Sequence, residues 1–152
     1  MNNRQRPIAA WILIILHFFI GIGGIISGAM LVVRPNGELM EWTPELLAGT
    51  PFDSYLIPGL ILVVCIGIFP IFVGYGMLKE PAWRGPDIIN PSRKYHWAWA
   101  ASWAVGVILL VWIVVEFIMV GYISILQPIV VAWGLITLLL TLLPRVKRHY
   151  LH

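Results

Sequence analysis

The sequence predicts an all-α membrane protein: a polytopic bundle of four transmembrane helices with a short amphipathic helix in its first outer loop. Three observations lead there. Hydrophobic residues make up 60% of the 152-residue chain and only 11% carry a formal charge, against about 25% in an ordinary soluble domain. Apolar runs of about 20 residues, the length that crosses a bilayer, recur four times and use most of the chain, which leaves one domain (residues 1–152) and no soluble module. The basic residues sit in short flanks beside those runs, where Lys and Arg set the orientation of a membrane protein.

The first span is expected over Ile8–Val33, with Pro7 in a position that suits the start of a helix. This apolar run exceeds the 7–15 residues of a cleaved signal and reads as a retained anchor behind Arg4 and Arg6. Arg34-Pro35-Asn36-Gly37 supplies turn residues that end it. The second span is expected over residues 55–78. Pro58 falls in its first turn, whereas Pro70 is interior and deprives the Ile66 carbonyl of its donor, which predicts a kink. The third span covers Trp97–Val120. The fourth covers residues 126–143 and stops at Pro144.

The first outer loop, residues 35–54, alternates Glu38, Glu41, Glu45 and Asp53 with Leu39, Trp42, Leu46 and Leu47. The apolar residues recur at helical spacing, and Thr43-Pro44-Glu45 has the pattern of a cap followed by a first-turn proline. An amphipathic helix lying on the membrane face is expected; the alternative is a solvated acidic loop.

Orientation follows from the ten Lys and Arg residues. Arg4 and Arg6 precede the first span. Lys79, Arg84, Arg93 and Lys94 lie between the second and third, and Arg145, Lys147 and Arg148 follow the fourth. That places nine on one side and leaves Arg34 on the other. The positive-inside rule then puts both termini and the middle loop in the cytoplasm of a bacterial inner membrane. Trp11, Tyr95, Trp97 and Trp99 are expected as anchors at the inner interface, and Trp42, Tyr55 and Tyr122 at the outer one.

Small and polar residues mark the faces that pack. At about 100° per residue, His17, Gly21, Gly24 and Gly28 share one face of the first helix. Gly67 and Gly74 share a face of the second, beside Pro70. Ala98, Ser102, Leu109 and Glu116 align on the third, and Gln127, Gly134, Thr137 and Thr141 on the fourth. Helices in lipid approach through such stripes, so these faces are expected inward.

Few residues carry chemistry. Glu116 is the one acidic residue inside a span, a costly placement that usually marks a role. It lies near the outer surface, where it is expected either to tie structurally to Arg34, with Gln127 donating a further hydrogen bond, or to serve as a substrate or proton site, or simply to meet solvent. His17 lies near the bilayer midplane on the glycine face. It is expected either as a packing histidine bonded to Thr137 or a backbone carbonyl, or as a protonatable transport group. A haem site is not expected, because His96 sits at the inner interface, far from His17. Asp53, Tyr55, Glu116 and Gln127 are expected to gather at the outer mouth, unless Asp53 instead caps the second helix. The lone Cys65 excludes an internal disulfide. No cofactor, metal site or nucleophile–base pair is expected, and no nucleic-acid surface.

The stretch Thr50-Pro51-Phe52-Asp53-Ser54-Tyr55-Leu56-Ile57-Pro58-Gly59, with His96-Trp97-Ala98-Trp99-Ala100, resembles small four-helix bacterial integral membrane proteins of uncharacterised function. The layout is also similar to the DoxX-like four-helix families. The resemblance implies a four-helix membrane fold and brings no activity with it. The expected function is therefore a non-enzymatic accessory or lipid-interacting bundle. The alternative is a small oligomeric transporter or channel in which Glu116 and His17 titrate. Membrane lipids, a second copy or a membrane partner protein are the expected partners.

Overall fold

A computed structural model describes residues 5–152, so Arg4 lies outside the described residues. The chain is helical: α1 (Ile8–Val33), α2 (Leu56–Lys79), α3 (Arg84–Ile88), α4 (Trp97–Val120), α5 (Leu126–Leu142) and α6 (Pro144–His149). Three of them, α1, α2 and α4, are long and apolar enough to cross a membrane. The apolar helix α5 has 17 residues, a rise of roughly 25 Å against about 30 Å of bilayer hydrocarbon. Successive apolar helices alternate in direction. One end of the molecule, the loop end, carries residues 34–55 and the turn after α4. The other, the tail end, carries the start of α1, the 80–96 segment and α6.

α1 packs on α2 with backbone close to backbone at its glycines. Gly21, Gly24 and Gly28 are buried, whereas Ile15, Phe19, Ile22 and Ile26 on the other side are exposed. A Cβ at Gly24 would lie 2.6 Å from the Ile66 carbonyl carbon and oxygen, and one at Gly28 2.7 Å from the Gly59 oxygen. Real side chains do not occupy such space, so these positions exclude anything larger than glycine.

Pro70 explains why the Ile66 carbonyl is available. Its ring removes the donor that Ile66 would otherwise meet and crowds the carbonyl four residues back. The helix responds over Leu62–Ile68 by widening into a π turn, with the Phe69 N–H reaching Val64 O, five residues behind. A widened turn is a recognised response to strain inside a helix. It also resets the helical face. Gly59 and Gly67 are eight residues apart, about 80° out of register on an ideal helix. The extra residue absorbed by the wide turn brings both against α1, where Gly67 meets Ile25 and Gly59 meets Gly28 and Leu31. Sequence periodicity aligned Gly67 with Gly74 and missed Gly59 for that reason.

α4 packs along α5 through the same device. Gly106 and Gly134 face each other's carbonyl oxygens, with Leu138 and Leu110 closing over them. The expected stripes are buried: Ala98, Ser102 and Leu109 on α4, and Gln127, Gly134, Thr137 and Thr141 on α5. Glu116, further along α4, is half-buried.

The tail end is more ordered than a set of basic loops. Helices α3 and α6 form there, and residues after α6 fold back on the bundle. Tyr150 is fully buried and its hydroxyl donates to Met77 O at 2.9 Å. The His96 N–H donates to Tyr150 O (2.8 Å) and the His152 N–H to Lys94 O (3.0 Å). Burial pushes the Tyr150 phenol up, which keeps it a neutral donor. Arg6 donates to Leu78 O and pairs with Glu80 at 2.9 Å, while His149 Nε2 lies 3.1 Å from the same carboxylate. Trp97 and Trp99, expected as interfacial anchors, are instead buried. Their indole N–H groups donate to Pro81 O and Thr141 O. Each indole thus satisfies a carbonyl at a helix end or chain crossing, a use that residue type alone does not disclose.

His96 begins α4. Its Nδ1 accepts the Ala98 N–H at 3.2 Å, and its Nε2 lies 3.1 Å from Pro81 O. A ring that accepts at Nδ1 and donates at Nε2 is neutral. Burial accordingly holds His96 below the usual histidine range, against the smaller opposing effect of the Pro81 carbonyl.

Two predictions follow from this packing. Gly24→Ala is expected to lower detergent stability by about 1–3 kcal/mol, because its methyl meets backbone that cannot swing aside. Gly23→Ala, where a Cβ meets nothing within 4 Å, is expected to leave stability unchanged or raise it, as helical Gly→Ala normally does. Thermal unfolding in detergent reads the difference. The second prediction concerns acid. The folded state resists protonating His96 while the unfolded chain takes the proton near pH 6.5, so stability is full above that pH and falls as pH drops below it. His96→Asn, which keeps a capping acceptor without titrating, is expected to make the melting-temperature profile between pH 7.5 and 5.5 less steep. An unchanged acid slope would remove His96 as its cause.

Candidate functional site

The loop end holds a cavity of about 330 Å³. Its construction starts with the first outer loop. A proline forces the residue before it out of helical conformation, and Thr43 before Pro44 is extended (φ −94°, ψ 150°). The expected start is in place, with Thr43 at the cap and Pro44 first, but the helix that follows is one 3₁₀ turn, Pro44–Leu47, preceded by a second, Glu38–Met40, in place of an amphipathic α-helix. Between them Glu41 adopts a left-handed conformation (φ 57°). The loop turns back on the helices instead of lying along a surface. Leu47 and Tyr55 bury against Leu31 of α1, with Trp42, Leu46 and Phe52 around them.

Tyr55 fastens this fold. Its N–H donates to Pro35 O at 2.8 Å and its hydroxyl donates to Thr43 O at 2.7 Å. Its ring lies 5.5 Å from that of Trp42. Gly37 (φ 83°) makes the close approach possible, since a Cβ there would meet the Tyr55 ring and Trp42 O. The loop forms one wall of the cavity, α2 a second through Pro58, Ile61 and Leu62, and α4 a third through Trp112, Val115, Glu116 and Met119. Nearly all of that surface is hydrocarbon or aromatic ring; the single charged group in the lining is Glu116.

Glu116 is held by Gln127 and not by Arg34. Gln127 is buried, and its Nε2 donates to Glu116 Oε1 (3.1 Å) and to Gly121 O (3.0 Å), while its Oε1 accepts the Ile123 N–H (3.0 Å). One amide thus fastens the carboxylate and the turn joining α4 to α5. The expected Arg34 tie is corrected: Arg34 is exposed at the end of α1, and the ion pairs among the described residues are those of Glu80. Glu116 borders the cavity, whose lining includes the loop's Trp42, Leu46 and Leu47 but not Arg34.

Of the four residues expected at the outer mouth, Tyr55 and Glu116 line the cavity and Gln127 stands behind Glu116. Asp53 is exposed and outside it. Asp53 does not cap α2 either; Ser54 Oγ accepts the Leu56 N–H at 3.4 Å. The aromatic wall of Trp42, Phe52 and Trp112 was missed as a unit, because only the folded loop brings residues 60 to 70 positions apart onto one surface.

His17 belongs to a separate buried network. Its Nε2 lies 2.8 Å from Ser102 Oγ, Ser102 Oγ lies 2.9 Å from Thr141 Oγ1, and Thr141 donates to Thr137 O at 2.7 Å. The directions are fixed in sequence. Thr141 spends its one proton on the carbonyl, so Ser102 donates to Thr141, and His17 Nε2–H donates to Ser102. The chain joins α1, α4 and α5 and ends on a backbone carbonyl, which passes no proton onward. The expected partner Thr137 is corrected to Ser102; the Thr137 hydroxyl has no partner among the described residues. No group of three or more metal-ligating side chains lies together among the described residues.

No protein-family model, characterised protein or solved structure matches the chain.

The geometry separates Gln127 from Arg34. Gln127→Leu leaves the Glu116 carboxylate, Gly121 O and Ile123 N–H without their partner, and is expected to cost about 1–3 kcal/mol. Arg34→Gln is expected to leave the melting temperature unchanged. An equal loss in both variants, measured by thermal unfolding in detergent, would restore the Arg34 tie.

Proposed function

We propose that the chain is a non-catalytic membrane protein that takes an apolar ligand, such as a lipid chain, in the loop-end cavity, and that it acts as an accessory or lipid-interacting bundle. The observation that carries this reading is the cavity itself: about 330 Å³, walled by aromatic and aliphatic side chains, beside helices whose outward faces are apolar. Ligand sites are concave, mostly apolar and furnished with few polar groups. In this reading α5 is a fourth span, shortened at the loop end where the α4–α5 turn is pinned by Gln127. The nine-to-one distribution of basic residues supports a reading in which the tail end is in the cytoplasm of a bacterial inner membrane and the cavity is at the outer leaflet. The transport alternative draws less support, because the His17 chain ends on the Thr137 carbonyl.

A phospholipid carrying a photoactivatable diazirine on its acyl chain tests the proposal. Irradiation in proteoliposomes is expected to concentrate label on peptides containing Phe52 and Trp112. Leu46→Trp, which fills the cavity from the loop side, is expected to reduce that label several-fold without changing labelling of Ile15 and Phe19 on the outward face of α1. Even labelling of all lipid-facing segments, unchanged by Leu46→Trp, would overturn the reading.

A further inference from the structure

The tail end holds a second concavity, separate from the loop-end cavity. It is a groove of about 810 Å³ between the start of α1 and the junction of α5 with α6. Ile8, Leu143 and Pro144 give it hydrocarbon, and its charged lining is Arg6, Arg145 and Arg148. A neighbouring hollow of about 710 Å³ shares Arg145 and Arg148 with it. Among the described residues no acidic side chain lines either one.

The basic residues at this end are sorted by position. Val146 and Tyr150, four apart, are buried. Arg145 and Arg148, three apart on another face of α6, are exposed and line the groove. Lys147 lies instead over the Trp99 ring at 5.8 Å, and His149 lies beside Glu80. On the α1 side, Arg6 is held fast. Its Nη2 donates to Leu78 O and to Glu80 Oε1, and its guanidinium lies 4.9 Å from the centre of the Trp11 ring. One side of the groove is therefore fixed, and the other carries two guanidinium forks of the kind that match phosphate oxygens.

Hydrocarbon and phosphate-matching charge meet here. Ile8 opens α1 and Leu143 follows α5, and both are exposed. An acyl chain lying along the outward apolar faces of these helices would arrive at the groove at the level of its headgroup. Basic pockets between membrane helices take phospholipid headgroups in this way. A zwitterionic headgroup brings its own ammonium among the arginines, and an anionic one does not.

We infer that the tail-end groove binds an anionic phospholipid, its phosphate at Arg145 and Arg148 and an acyl chain against Ile8 and Leu143. The site does not depend on the loop-end cavity being occupied.

Phosphatidylglycerol and phosphatidylcholine with identical acyl chains differ in headgroup charge alone. Each is titrated into the full chain in maltoside micelles, and bound lipid is counted by native mass spectrometry. Phosphatidylglycerol is expected to bind about tenfold tighter or more, the scale of two arginines at a membrane surface. Arg145→Gln with Arg148→Gln is expected to bring the two affinities together, with phosphatidylcholine binding and melting temperature unchanged. Arg145→Gln alone is expected to narrow the difference part-way. Arg93→Gln with Lys94→Gln removes the same charge from exposed positions outside the groove and is expected to keep the preference. Excess inorganic phosphate is expected to leave phosphatidylglycerol bound. Equal binding of the two lipids to the unaltered chain overturns the anionic ligand. Equal loss of preference in the two double variants overturns the groove as the site and leaves diffuse surface charge. Displacement of phosphatidylglycerol by inorganic phosphate overturns the lipid as the ligand in favour of a free anion.

Discussion

A carbonyl in hydrocarbon that loses its donor costs several kcal/mol unless something else meets it, and Pro70 creates that situation at Ile66. The helix answers by widening over Leu62–Ile68, and the neighbouring helix answers by presenting Gly24, whose Cα sits where any side chain would collide with the freed carbonyl. Close approach of two backbones brings Cα–H groups onto carbonyl oxygens, a weak attraction that recurs at helix–helix contacts. Everything else in the α1–α2 pair is arranged around this contact. Gly21 and Gly28 flank it, and large aliphatic residues are left for the outward face.

Once α1 lies that close to α2, the polar groups have few places to go. His17, four residues before Gly21, falls where α1 also meets α4 and α5, and its imidazole finds Ser102 and, through it, Thr141. Three helices are thereby joined by hydrogen bonds whose proton directions admit a single arrangement. At the loop end the requirement is different. Tyr55 and Gln127 tie down irregular backbone, and the hydrocarbon side chains they hold in place leave a cavity instead of a packed core. The same residue types therefore do two jobs: near the middle of the bundle they link one helix to another, and at the loop end they shape space.

Much of this was legible in the sequence. The helix bounds and the inward faces of α1, α4 and α5 follow from periodicity and from where small residues fall. His17 as a buried packing residue and Gln127 as the donor to Glu116 were within reach of the same reading. What escaped it depends on departures from regular geometry. Gly59 falls off the face when an ideal 100° step is assumed, and only the wide turn restores it. The Glu38–Leu47 segment has helical spacing and starts a turn at Pro44 as expected, yet it closes as two short 3₁₀ turns. Arg34 and Glu116 share a depth along the bundle, but depth does not reveal that Arg34 is turned out to the exposed surface while Glu116 borders the cavity. The docking of Tyr150 under Met77 had no local signal, because a short basic tail gives no periodicity from which contact is read.

The wide turn in α2 makes that helix unusually specific about its length. Losing one residue between Leu62 and Ile66 would turn the segment into a regular helix in which Gly59 and Gly67 still share a face, seven residues apart instead of eight. The strain at the proline would return, but the glycine seam would survive. Losing one residue between Phe69 and Met77 would instead swing the end of the helix by about 100°. That would carry Met77 O away from Tyr150. Among single-residue deletions, α2 thus has one tolerant stretch, at its widest point, in a helix that elsewhere keeps strict count.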